Sequence, residues 1–565
     1  MLAAIVILIG VVVVSKVLRH MLAVVVMSMA VVFAFAIAPG TARAADTGAI
    51  TVDGTVATRY DAYQLFSATV VDDADADQKV ATDVAWANDT VRQAALPVLH
   101  DAGLDNSAST AQEAAEWMNA DGHMTTTLAA KLARAIYNAG APSVALNAGT
   151  AAELPCGYWL IVAKDDAIAQ GEVGTAPIMA LVGGSAVTVK PKAATPKVAK
   201  HVLEDSTAVW QKAADATVAD DLYWRLSATV PAGLTAYDTY TVQFVDTMSA
   251  GLDPSKVAAS MRVYVAAGAD GGFDAVSAGK DGRVGTEPAK GWTDITAQCR
   301  VSVDGKTFTV RTGDLIAVLG GADAFTAGAR VVAVYNAPLN SACNHGIAKG
   351  NPNEVYLRYP RSPFADQSGD AGFTRTPSDD ACAYTWDLAL TKRGSDGDKP
   401  LAGAVLSITD DRGRTLAADG TWDAEGKATV TTGEDGRVTV SGVDSGKLEV
   451  RELKAPKGYT AFEGTRSVTV KAVGLDVDQV ATAKPKLTIT AESPLRADSA
   501  DGSTGSLEAS LINTPTGTPP SITTGGFMPS TGDMAMYAAA AAAVAGAALI
   551  VVALLVKRGG GSHKE

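Results

Sequence analysis

Trp386-Asp387-Leu388-Ala389-Leu390-Thr391-Lys392 alternates so that Leu388, Leu390 and Lys392 share one face of an extended strand. A charged side chain on the core face of a strand is costly unless it is paired or neutralised. The two-residue period returns downstream at Val405-Leu406-Ser407-Ile408 and at Leu448-Glu449-Val450-Arg451-Glu452. Upstream it runs through Trp224-Arg225-Leu226-Ser227-Ala228-Thr229-Val230, Tyr240-Thr241-Val242-Gln243-Phe244-Val245, Arg262-Val263-Tyr264-Val265 and Arg330-Val331-Val332-Ala333-Val334-Tyr335. Gly-rich turns separate these runs. The pattern predicts a mainly β protein of tandem sandwiches.

A chain of 565 residues is too long for one hydrophobic core, and about three or four units are expected. The interior is rich in Thr, Val, Ala, Gly and Asp and holds few aromatics, a mix that suits exposed sheets better than helical bundles. A formal net charge of −14 argues against nucleic acid as a partner, because no basic stripe is available to replace counterions on phosphate. The 6 His show no metal-ligand spacing. The 4 Cys (Cys156, Cys299, Cys343 and Cys382) contain no CxxC pair, so a zinc site is not expected. Cys299, Cys343 and Cys382 are close enough in sequence to pair, in a choice that sequence leaves open. With no phosphate loop and no Ser/His/Asp constellation, neither an enzyme nor a cofactor or metal is expected.

Residues 1–44 read as a secretory signal: an apolar run at 2–14, then Lys16, Arg19 and His20, a second apolar run at 22–38, and Ala42-Arg43-Ala44 as a cleavage site. A membrane hairpin, or a true start at Met21, are the alternatives. Residues 45–189 form a first unit, β-alternating at Tyr60-Asp61-Ala62-Tyr63-Gln64-Leu65-Phe66, with a helical insert that opens at Thr110 in capping-box spacing with Glu113. A second helical stretch covers 125–138 and ends before Gly140. A Pro- and Lys-bearing linker occupies 190–197. A second unit spans 198–382 and a third 383–514. Residues 515–533 are an extended Thr/Pro/Gly spacer that ends in Met528-Pro529-Ser530-Thr531-Gly532. Residues 534–556 are apolar over a bilayer-spanning length, and the basic tail 557–565 would stay cytoplasmic.

This tail resembles the cell-wall sorting signal of Gram-positive surface proteins, with Met528 in place of the usual Leu. The resemblance implies that a sortase attacks the Thr531 carbonyl and releases Gly532 onward, with Pro529 and Ser530 completing the recognised peptide. The chain between the ends resembles the backbone pilins that sortases polymerise. Val187-Thr188-Val189-Lys190-Pro191-Lys192 is similar to their pilin motif and makes Lys192 the acceptor of the next subunit's Thr531. Lys190 stands where the motif has Tyr and is a second acceptor.

The third unit resembles the collagen-adhesin B-type (CnaB, prealbumin-like) immunoglobulin-like domain. Leu448 to Tyr459 matches its E-box. The resemblance implies an autocatalytic Lys392–Asn513 isopeptide bond, with Glu452 as the proton-shuttling acid. The second unit repeats the scheme as Lys200, Asp246 and Asn353, with Lys197 and Asn351 as alternative partners. No matching set occurs in the first unit.

The implied function is a covalent pilus shaft, secreted and wall-anchored. Its partners would be a sortase, further copies of the chain, other pilins, peptidoglycan and a host surface ligand. The rival reading is a monomeric wall-anchored adhesin or a minor tip pilin, which would need no acceptor Lys192.

Overall fold

The computed structural model describes residues 46–517, apart from 55, 74–77, 121, 192–194, 231–235, 322–327 and 366. The expected signal, Lys192, the peptide Met528 to Gly532, the apolar segment 534–556 and the basic tail lie outside the described residues.

The described chain is mainly strand. In the first unit, Lys79–Trp86, Arg59–Asp72, Gly157–Ala163 and Ile178–Val182 form one sheet in that order, with Val144–Asn147 beside Arg59–Asp72. A small sheet sets Thr47–Val52 between Ala152–Pro155 and Val187–Val189. Three helices pack on the larger sheet through Leu99, Ala114, Leu128, Leu132 and Ile136. Thr110 and Glu113 form the expected capping box. The helix Asp89–Asp101 was not foreseen, because Pro97 reads as a breaker. Asn88 starts this helix by accepting from Val91 N, and the buried Val91, Ala95 and Leu99 hold it across the proline.

The second unit is a sandwich of two sheets. One runs Val209–Gln211, Lys197–Glu204, Tyr223–Val230, Ala329–Asn336, Arg262–Ala267, Thr293–Asp294. The other runs Ala213–Asp215, Asp379–Tyr384, Asn351–Pro360, Gln243–Met248, Thr307–Arg311, Arg300–Asp304, with Phe373–Arg375 beside Asn351–Pro360. Trp224, Leu226, Phe244, Phe308, Val331, Tyr335 and Leu357 fill the space between them. The first of these strands begins at Lys197, the last residue of the expected linker.

In the third unit, Trp386–Gly394 and Ser506–Pro515 are parallel neighbours. Arg437–Val443 flanks the first of them, and Leu495–Asp501 and Tyr459–Thr460 pair with the second. The facing sheet centres on Val405–Thr409, Gly446–Lys454 and Thr465–Val473. Leu388, Leu390, Leu406, Ile408, Val450, Val468 and Leu511 form the core between them. Cys156, Cys299, Cys343 and Cys382 form no disulfide with one another, and Cys343 and Cys382 belong to different cores.

Candidate functional site: two buried lysine, acid and asparagine sets

Lys200 lies on the inward face of its strand, opposite Leu226 and in phase with Val202, and is fully buried. Its Nζ contacts Asp246 Oδ2 and donates to the Tyr335 hydroxyl at 2.9 Å. Tyr335 in turn donates to Asp246 Oδ2 at 2.9 Å and accepts from Asn353 Nδ2 at 2.8 Å. A hydroxyl has one proton to give and two lone pairs, so every slot of Tyr335 is used. The rings of Trp224 and Tyr335 each lie 5.4 Å from Nζ. Asp246 and Asn353 come from adjacent antiparallel strands, with Asp246 opposite Val355 and Met248 opposite Asn353.

Burial disfavours both charges of this pair. It lowers Lys200 to about 8, against the attraction of Asp246. It also raises Asp246, against the attraction of Lys200. The two groups therefore approach each other in proton affinity. Asp246 Oδ1 and Asn353 Oδ1 are buried without a hydrogen-bond partner. An unsatisfied buried acceptor costs about 1–3 kcal/mol, and a proton placed on the acid would relieve that cost.

Lys197 and Asn351 are placed differently. Lys197 is exposed. Asn351 is buried, but its amide is saturated: Oδ1 accepts from Asn344 N at 2.8 Å, and Nδ2 donates to Asn344 O at 2.9 Å and Ala383 O at 3.2 Å.

The third unit holds a related set with different wiring. Lys392, Glu452 and Asn513 are all buried. Asn513 Nδ2 donates to Glu452 Oε1 at 2.9 Å and Oε2 at 3.0 Å, so the acid touches the amide nitrogen directly. Lys392 Nζ is 3.6 Å from Glu452 Oε1 and donates to Leu511 O at 3.2 Å. Phe462 N donates to Glu452 Oε2 at 3.1 Å and holds the carboxylate in place. Burial lowers Lys392 to about 8, opposed by Glu452. Asn513 Oδ1 has no hydrogen-bond partner.

Both sets bring a poorly solvated amine, an acid and a carboxamide with a free carbonyl oxygen into one enclosed site. Such an arrangement is suited to amide exchange with loss of ammonia. Tyr335 was missed from sequence, because Arg330-Val331-Val332-Ala333-Val334-Tyr335 reads as a plain core strand. In the first unit, Thr175 is the buried polar residue among those described, and Lys79 is tied at its edge to Asp72 and Ser185. Lys190 is exposed, 3.6 Å from Asp53.

Residues 387–485 match the model of the prealbumin-like fold domain SpaA. Over 158 residues the chain is 30% identical to the trypsin-resistant surface T6 protein of Streptococcus pyogenes serotype M6, a stretch that covers 26% of this chain and 27% of that protein. Similar solved structures include the T6 backbone pilin of serotype M6 Streptococcus pyogenes, at TM-score 0.45 and 16% identity over 84% of this chain and 99% of that one. The full-length major pilin SpaD from Corynebacterium diphtheriae follows at TM-score 0.39 and 15% identity, over 84% and 98%. Residues 387–485 are thus similar to the SpaA prealbumin-like domain, on a chain that spans about a quarter of the length of the streptococcal surface protein it matches.

Proposed function

We propose that the chain is the shaft subunit of a covalently assembled, wall-anchored pilus used in surface adhesion. Its units, 45–189, 198–382 and 383–514, act as domains in series along the fibre. A sortase cleaves after Thr531 and joins the new acyl group to Lys192 of the next subunit. The finished polymer is passed to peptidoglycan.

The observation that carries this reading is the pair of buried Lys/acid/Asn sets, for which a metabolic role has no use and a load-bearing one does. In each set the acid takes a proton from the amine. The neutral Nζ then attacks the asparagine Cγ, and a Nζ–Cγ amide replaces the Cγ–Nδ2 bond with release of one ammonia. Lys392–Asn513 would tie the first strand of its unit to the last, which are parallel neighbours. Lys200–Asn353 would tie one sheet of its sandwich to the other. Tension entering at one end of a domain then leaves at the other without loading the core between.

Peptide mapping of the full chain by mass spectrometry tests the reading. Linked peptides holding Lys200 with Asn353 and Lys392 with Asn513, each short of one ammonia, are expected. Unmodified peptides at both sites would overturn the crosslinked-shaft reading.

A further inference from the structure

We propose that Tyr335 is a catalytic residue of the Lys200–Asn353 linkage, carrying the proton from Asp246 to the departing amide nitrogen. The inference rests on the linkage reading above. It starts from a difference between the two sites. In the third unit the acid reaches the leaving nitrogen itself, through two contacts from Asn513 Nδ2 to Glu452. In the second unit the acid is Asp246, one methylene shorter, and its Oδ2 contacts Lys200 and Tyr335. Asn353 Nδ2 donates to Tyr335 instead, at 2.8 Å. The tyrosine hydroxyl therefore stands between a short acid and the nitrogen that must leave. Aspartate plus tyrosine spans what glutamate spans alone.

The ring is held for this task. Phe308 packs edge-on against it, with centroids 4.7 Å apart. The backbone of Tyr335 is in register with Trp224, and the residue is fully buried.

The proton count closes. Lys200 Nζ gives one proton to Asp246, and the neutral amine attacks Asn353 Cγ. In the tetrahedral adduct Nδ2 is no longer conjugated with the carbonyl, and its lone pair can accept the Tyr335 proton. The hydroxyl is refilled from Asp246 as the Cγ–Nδ2 bond breaks, and Asp246 takes the second Nζ proton. Two protons leave Nζ; one ends on ammonia and the other stays on Asp246. No oxidant, metal or outside donor is required.

The test uses the third unit as an internal control. The full chain, wild type or Tyr335→Phe, is made in a pulse, and both linkages are followed by peptide mass over time. General acid catalysis contributes ~10²–10⁴-fold. Y335F is therefore expected to slow the Lys200–Asn353 linkage by about 10²-fold or more, while Lys392–Asn513 forms at the wild-type rate in the same molecules. A wild-type rate at the Lys200 site in Y335F would overturn the proposal and leave the linkage reading standing. A wild-type chain without the Lys200–Asn353 linkage would overturn both.

Lys200→Ala shows how the unlinked second unit resists protease. If Y335F is cut there and K200A is not, 3,5-difluorotyrosine is placed at position 335. It keeps the ring and makes the phenol more acidic. A changed rate at the Lys200 site alone then supports the relay, and an unchanged rate overturns it.

Discussion

Lys392 and Asn513 lie on parallel neighbouring strands, two residues out of register: Lys392 pairs with Leu511, and Asn513 with Gly394. Residues two apart on a strand point the same way, so both side chains enter the core where Glu452 waits. A bond between them would close a loop of on the order of 100 residues, which chain-entropy reasoning values at roughly 5 kcal/mol. Glu452→Gln keeps the shape and removes the acid. We expect it to abolish the Lys392–Asn513 linkage and to lower the melting temperature of the third unit by many degrees. Unchanged calorimetric melting would defeat the idea.

The pH dependence of linkage follows from the pairing of a depressed amine with a raised acid. The reactive pair, neutral amine with protonated acid, carries the same number of protons as the ion pair. Its population is therefore constant while the pair holds its shared proton. Lys200 is brought down to about 8 by burial, so the rate should be flat through neutrality. It should fall about tenfold per pH unit above 8, once that proton is lost. A rate that keeps rising toward pH 10 would show that the acid's proton is not needed.

Much of this is legible in the sequence. Lys392 and Lys200 each sit in phase with apolar neighbours, and an alternating strand permits few readings of a lysine in that position. Pairing partners were less legible. Alternation reveals which face of 386–394 is buried, but not that its parallel neighbour is 506–515. Tyr335 was hidden because an aromatic at the end of an apolar strand looks the same whether its hydroxyl works or merely finds a partner. The helix Asp89–Asp101 was hidden by Pro97. The carboxylates between the second and third units were hidden because Glu204, Asp215 and Asp444 converge only when the two units pack.

That cluster yields a prediction of its own. Asp205, Asp215, Asp444 and Glu204 crowd the joint, with Arg412 bridging Asp205 at 3.3 Å and Asp220 at 2.9 Å. Burial, then repulsion from Asp215, pushes Glu204 up to about 8. A folded value raised above the unfolded one, ~4.3, means that the native state holds a proton the unfolded chain releases. This stability is fully present below ~4.3 and is lost as pH rises toward 8. Melting of the joined units should therefore fall by several degrees from pH 5 to pH 8, and Glu204→Gln should flatten that slope. An equal slope in wild type and variant would exclude Glu204 as its source.

Polymerisation separates the shaft reading from its adhesin rival. Lys190 is exposed beside Asp53, and Lys192 follows two residues later. In cells, the wild type should give a high-molecular-weight ladder in wall extracts, which Lys192→Ala should abolish and Lys190→Ala should leave. A ladder that survives K192A and vanishes in K190A would move the acceptor. A wild type with no ladder would favour the monomeric adhesin.

Asn351 and Asn353 offer the sharpest contrast between holding a fold and reacting within it. They sit two residues apart on one strand, both buried, with side chains on the same face. Asn351 spends both ends of its amide on backbone partners, and a Cβ on Gly251 would come within 2.1 Å of its Oδ1. Asn353 has one partner, Tyr335, and a carbonyl oxygen with none. Asn351→Ala strands buried backbone groups and should cost about 1–3 kcal/mol. The Lys200–Asn353 linkage should still form in it. Asn353→Ala should abolish the linkage, leaving Lys200 in its unmodified tryptic peptide. Loss of the linkage in N351A together with its persistence in N353A, read by the same peptide map, would reverse the assignment of reactive amide and structural amide.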